Sequence, residues 1–159
     1  MTSLNQKLTA LVREATIATA AATLCALVLQ VPVWAMFIGW IAFFTRGMTT
    51  KDGVINLLTV WIGIAIGIAA GQLTSVLTPL TGEGTLSLVV FVVALVVLSL
   101  RYMPVINNLL GLFLGLVSFF ASHQPPNFET FFTLALAATV GIVAATSLRL
   151  LQHKTVAAH

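Results

Sequence analysis

The chain has 159 residues, 59% of them hydrophobic and only 7% charged, with seven Lys or Arg, four Asp or Glu and a formal net charge of +3. A soluble domain carries roughly 25% charged residues to face water, so a water-soluble globule is excluded and the surface must face lipid. The positive balance then carries no implication of nucleic acid; its meaning lies in where the basic residues fall along the chain.

The first 14 residues form a polar lead-in. Leu4, Leu8, Leu11 and Val12 recur at helical spacing opposite Asn5, Gln6 and Lys7, the pattern of an amphipathic helix lying on a membrane surface. Long stretches without Asp, Glu, Lys or Arg follow, over 15–44, 53–82, 84–100 and 102–128. A helix needs about 20 apolar residues to cross the hydrocarbon core. Six apolar segments are expected, over 15–30, 32–48, 54–77, 85–101, 104–121 and 128–150. The fold class is therefore all-α, a polytopic transmembrane helical bundle, with a cytoplasmic tail over 151–159. The single cysteine, Cys25, excludes an internal disulfide and a cysteine-rich metal site. It follows Ala22-Thr23-Leu24, too bulky at Leu24 for a lipid-anchor signal, and no cleavage site precedes a soluble domain, so the first segment is expected to stay as a span.

The connections set the orientation. Lys7 and Arg13 precede the first segment, Arg46 and Lys51 follow the second, Arg101 closes the fourth, and Arg149 and Lys154 end the sixth. The other three connections, at 30–31, 78–84 and 122–127, hold no Lys or Arg. Six crossings with both termini in the cytoplasm place all seven basic residues on the cytoplasmic side of a bacterial inner membrane, as the positive-inside rule prefers. A four-crossing arrangement would export Arg46, Lys51 and Arg101.

The two halves of the chain, 15–77 and 85–150, share an ordered set of features. Phe37, Gly39, Phe43 and Phe44 fit F-x-G-x-x-x-F-F, and so do Phe113, Gly115, Phe119 and Phe120, 76 residues later. Pro32-Val33 precedes the first and Pro104-Val105 the second. Each is followed by small residues four apart, Gly63, Gly67 and Gly71 in one half, Ala137, Gly141 and Ala145 in the other. Three segments per half make such a repeat inverted, with segments two and five short and interrupted by Pro or Gly, a plan that recurs in transporters and channels.

Three groups of residues are candidates for function. The rows Gly63/Gly67/Gly71 and Gly111/Gly115, with Gly141, let helix backbones approach closely, either at an oligomer seam or within one protomer. Phe37, Trp40, Phe43, Phe44, Phe113, Phe119 and Phe120, with Gly39 and Gly115, either line a narrow path for small solutes or pack in the core and at the interface. Asn107 and Asn108 are the most polar point within an apolar run, and their amides need partners, along a path or on a neighbouring helix. No Asp, Glu, Lys, Arg or His falls near the middle of any segment, where ion-coupled transport usually requires one. The sequence has no zinc-protease, P-loop or nucleophile-elbow motif, and His123, His153 and His159 are too scattered to hold a metal. Neither an enzyme nor a cofactor is expected.

From about Ala15 onward the chain resembles a family of small bacterial inner-membrane proteins, the domain of unknown function 1097 (DUF1097), in its length, segment order and the aromatic-glycine stretches 37–44 and 113–120. It departs from the family pattern in having Leu110 shortly before the second F-x-G step, with Pro104 further back. The resemblance implies no activity. The expected function is a passive channel or facilitator for a small neutral or weakly charged solute, similar in size to urea, an amide or ammonia. It is expected in a homo-oligomer in the bilayer; the alternative is a non-transporting structural or regulatory membrane subunit.

Overall fold

The computed structural model describes residues 4–157, with side chains as far as residue 152. The side chains of His153 and Lys154, and His159 altogether, lie outside the described residues. All regular structure among them is helical. Helix α1 (Leu4–Thr23) runs directly into a π-helical turn, Leu24–Leu29. Then come α2 (Val33–Phe43), α3 (Thr50–Thr81), a 3-10 turn at Gly82–Gly84, α4 (Thr85–Leu100), α5 (Leu109–Ser122) and α6 (Phe128–Ala157). The polar lead-in is, from Leu4, the first turns of α1 itself.

Three stretches are long and apolar enough to cross a membrane: Leu4–Leu29, Thr50–Leu100 and Phe128–Gln152. The middle one is a hairpin, because Thr74 near the end of α3 shares a small cleft with Val89 and Val93 of α4. Helices α2 and α5 have 11 and 14 residues, so they reach only about 16 and 21 Å against a hydrocarbon core of about 30 Å. Where six apolar segments were expected, there are three stretches of membrane-crossing length and two short helices, the latter at segments two and five.

Local chemistry explains the shortening. Helix α2 was expected to reach residue 48 but ends at Phe43, where the Thr45 hydroxyl donates to the Ala42 carbonyl at 2.7 Å. Gly47 and Met48 then turn the chain through positive φ (56° and 52°). Helix α5 was expected from residue 104, but 101–106 form turns around Pro104 and the helix starts after Asn108. Apolar residues such as Val105 and Ile106 read as helix in a sequence and lie in a turn here.

Three helices begin at side-chain caps that satisfy otherwise unpaired N–H groups. Thr49 Oγ1 accepts from the Asp52 N–H at 3.1 Å, Asn108 Oδ1 from the Gly111 N–H at 3.2 Å, and Asn127 Oδ1 from the Thr130 N–H at 2.9 Å. Along α3, the hydroxyls of Thr74, Ser75, Thr78 and Thr81 each donate to the carbonyl four residues back. This keeps polar groups satisfied inside an apolar helix.

The core is two crossings of a short helix on a long one. On α3 lies α5, running parallel: Gly111 faces Thr59, Gly115 meets Gly63, and Phe119 lies over Gly67. On α6 lies α2, also parallel: Trp34 and Leu134 line one cavity, Gly39 meets Ala138, and Phe43 and Thr146 both lie 3.3 Å from where a Cβ on Gly53 would be. At each crossing the backbones touch. An added Cβ at Gly115 would strike the Val60 carbonyl oxygen, and one at Gly63 that of Leu112; at Gly39 it would strike Ala138, and at Gly141 Met36. Contact between α3 and α6, which run antiparallel, joins the crossings, with Trp61 Nε1 donating to the Ala135 carbonyl at 3.3 Å. Helix α1 packs on α6, and α4 on α3 and α5.

Candidate functional site at the two ends of the bundle

At the end where α3 and α5 begin, polar side chains from three helices close on one another. Asn108 Nδ2 donates to Asn56 Oδ1 at 2.8 Å and to the Thr45 hydroxyl at 2.6 Å. Asn56 is fully buried, and its own amide reaches the Phe43 carbonyl at 3.4 Å. Above this pair, the Arg46 guanidinium donates to Asn107 Oδ1 at 2.7 Å and to the Val105 carbonyl at 3.3 Å, and lies 3.7 Å from an Asp52 carboxylate oxygen. Every amide oxygen and N–H in an apolar setting costs free energy unless paired, and here the amides pair with each other. The cluster fills the space between the helix ends.

At the opposite end, where α2 and α6 begin, the space is open. A cavity of about 400 Å³ lies between the 30–34 turn, the 122–127 loop and the first turns of α6. Gln30, Ser122, Gln124, Asn127, Thr130 and Thr133 supply amides and hydroxyls, Glu129 a carboxylate and Trp34 an indole face. Several groups are already engaged. The Thr130 hydroxyl donates to the Pro125 carbonyl at 2.7 Å, and the Ser122 hydroxyl to that of Phe119 at 2.7 Å. Among the described residues Glu129 makes no ion pair.

The residues singled out from sequence fall in different places. Asn107 and Asn108 both belong to the filled polar end. Gly39 and Gly115 are crossing points with no free space beside them. Phe43 and Phe119 are buried, while Phe44 and Phe120 are about half exposed, at 50% and 48%. Each adjacent pair stacks edge-to-face, with centroids 5.3 and 5.2 Å apart. Phe37 is exposed on α2, Trp40 is half-buried at the α2–α6 crossing, and Phe113 lines the apolar cleft beside α4. The aromatic residues are thus packed or outward-facing and are not gathered around one opening. Gly63, Gly67, Gly71, Gly111 and Gly141 all face neighbours within the chain, with the Phe119 ring lying in the groove that Gly67 and Gly71 leave. Arg46 and Thr45 did not stand out as site residues in the sequence, nor did the cavity residues apart from Trp34 and Gln30. The available signal was the composition of the 30–31 and 122–127 connections, which are rich in amides, hydroxyls and proline and hold no Lys or Arg.

The family described as "Protein of unknown function (DUF1097)" matches residues 14–148. The chain belongs to the DUF1097 family. No curated protein and no solved structure matches it. What a DUF1097 chain does must therefore be argued from its own geometry: one end of the bundle filled by paired amides, the other holding an open polar cavity.

Proposed function

We propose that this DUF1097 protein is a passive facilitator that moves a small, polar, neutral or weakly charged solute across the cytoplasmic membrane. On this reading it is built as an inverted repeat whose two ends open in turn. Residues 76 apart on the short helices and 78 apart on the long ones make the same contacts. Gly39 and Gly115 correspond, as do Met36 and Leu112, Ala138 and Val60, and Gly141 and Gly63. The caps Thr49 and Asn127 are likewise 78 apart.

One observation carries the reading. At these same offsets Asn108, Arg46 and Asn56, which fill one end, correspond to Pro32, Ser122 and Leu134, and all three of those line the cavity at the other. Equivalent sites are therefore filled at one end and open at the other, the relation that repeat-built transporters use to expose a solute to one side at a time. A continuous pore is not part of the proposal, because Met36, Phe43 and Leu112 are fully buried and Phe119 nearly so between the ends. An oligomer seam on the glycine rows is also left out, since those rows are occupied within the chain. The filled end carries Arg46, Asp52 and the turn after Arg101, and the positive-inside rule makes it cytoplasmic.

Purified protein in liposomes should raise the influx of small amides or amines above that of empty vesicles. No increase for any such solute would overturn the proposal and leave a non-transporting subunit as the better reading. Orientation is tested in a Cys25→Ser background. Gln124→Cys should react with a membrane-impermeant maleimide in intact cells, and Thr49→Cys only after lysis.

A further inference from the structure

The open cavity has a distinct chemical character. Its one formally charged lining residue is Glu129, and no Lys or Arg lines it. His123 lies in the adjoining 122–127 loop, while Arg46, Lys51 and Arg101 sit at the far end of the bundle. Glu129 lies in the first turn of α6, where the helix dipole favours a carboxylate. That accounts for its position, but it does not account for the rest of the lining. Trp34 presents an indole that is 39% exposed, and an exposed tryptophan face attracts cations more strongly than any other side-chain ring. The Gln30 and Gln124 side chains add carbonyl oxygens that make no hydrogen bond among the described residues. At about 400 Å³ the space equals roughly a dozen water volumes, within the range of small-molecule sites.

We propose that this cavity is a binding site for a small organic ammonium ion, with Glu129 as its counter-charge and Trp34 as its aromatic wall. The site names the solute class for the transport reading above and rests on that reading only for its physiological role. Binding is therefore measured without transport. Full-length protein in detergent is titrated calorimetrically with tetramethylammonium, which cannot lose a proton, and with tert-butanol, a neutral molecule of similar shape.

Tetramethylammonium should bind, weaken as salt is raised, and outcompete tert-butanol. Glu129→Gln should weaken it on the order of tenfold, and Trp34→Leu by roughly three- to tenfold, while Trp34→Phe retains most of it. Unchanged melting midpoints would show that these variants are folded. Absent binding, equal binding of the cation and the alcohol, or a Glu129→Gln variant that binds like the native chain would each overturn the assignment. Cation binding without flux in liposomes would keep the site and remove the transport reading. Flux of neutral amides without cation binding would do the reverse.

Discussion

The two ends of the bundle are made from comparable elements and differ in what their side chains fill. At one, the N-termini of α3 and α5 meet the end of α2, and Asn56, Asn108 and Arg46 occupy the space with paired amides and a long guanidinium. At the other, the N-termini of α2 and α6 meet the end of α5, and Leu134, Pro32 and Ser122 leave an opening. Pro32 has no side-chain amide to reach across, Leu134 has nothing to hydrogen-bond, and Ser122 is too short to cover the gap as Arg46 does. Three positions therefore decide whether a helix-end junction is open or shut, while the backbone crossings beneath both ends stay alike. In such a molecule the backbone sets where an opening can lie, and the side chains set which one exists.

The strongest way to break the comparison is to attack the crossings on which it stands. Gly115→Val or Gly39→Val pushes a branched side chain into the carbonyl of the opposite helix. Each should lose about 3 kcal/mol or more, seen as loss of the monodisperse species or a collapsed melting midpoint in detergent. If one tolerated the change and the other did not, the two crossings would not be equivalent. Next in size, Asn108→Ala leaves the Asn56 oxygen buried without its donor and removes the α5 cap, a cost of about 2–3 kcal/mol. A double-mutant cycle with Asn56→Ala should be strongly non-additive in thermal melts, since the two amides serve each other. Additive losses would mean that the paired amides are not a unit.

The caps sharpen the comparison with smaller effects. Thr49→Ala and Asn127→Ala should each cost about 1 kcal/mol, and equal shifts in melting midpoint are the expected outcome. Smallest in stability is Arg46→Ala, whose pairing with Asp52 is partly solvated and worth under about 1 kcal/mol. Its effect should appear in liposomes instead, as faster flux through an end that no longer shuts as well. Unchanged flux would exclude Arg46 from closing that end.

The membrane character and the order of segments were legible because charge is missing over long runs and returns at the connections. The true ends of α2 and α5 were not, because Val105, Ile106 and Met48 lie in turns while matching the helix on either side in hydropathy. The register of the halves was also misleading. Counting small residues sets Gly63 against Ala137, whereas the contacts set it against Gly141, since a helix rich in Ala and Gly offers several equivalent-looking alignments. Asn108 stood out as the polar point in its run, but its partner Asn56 is 52 residues away, and nothing local in the sequence joins them. The cavity had a weak signature, because it exists where Pro32 and Ser122 lack reach and Leu134 lacks an amide.

The clasp of α2 by α6 and of α5 by α3 has a consequence for biosynthesis. Helix α2 is completed only by α6, so Gly39 and Met36 emerge from the ribosome well before the surface that covers them. The early part of the protein must wait in the bilayer, its groove exposed to acyl chains, until α6 has been translated. Chains truncated before α6 should then be targets for membrane proteases, and supplying the missing helix as a separate polypeptide should rescue them.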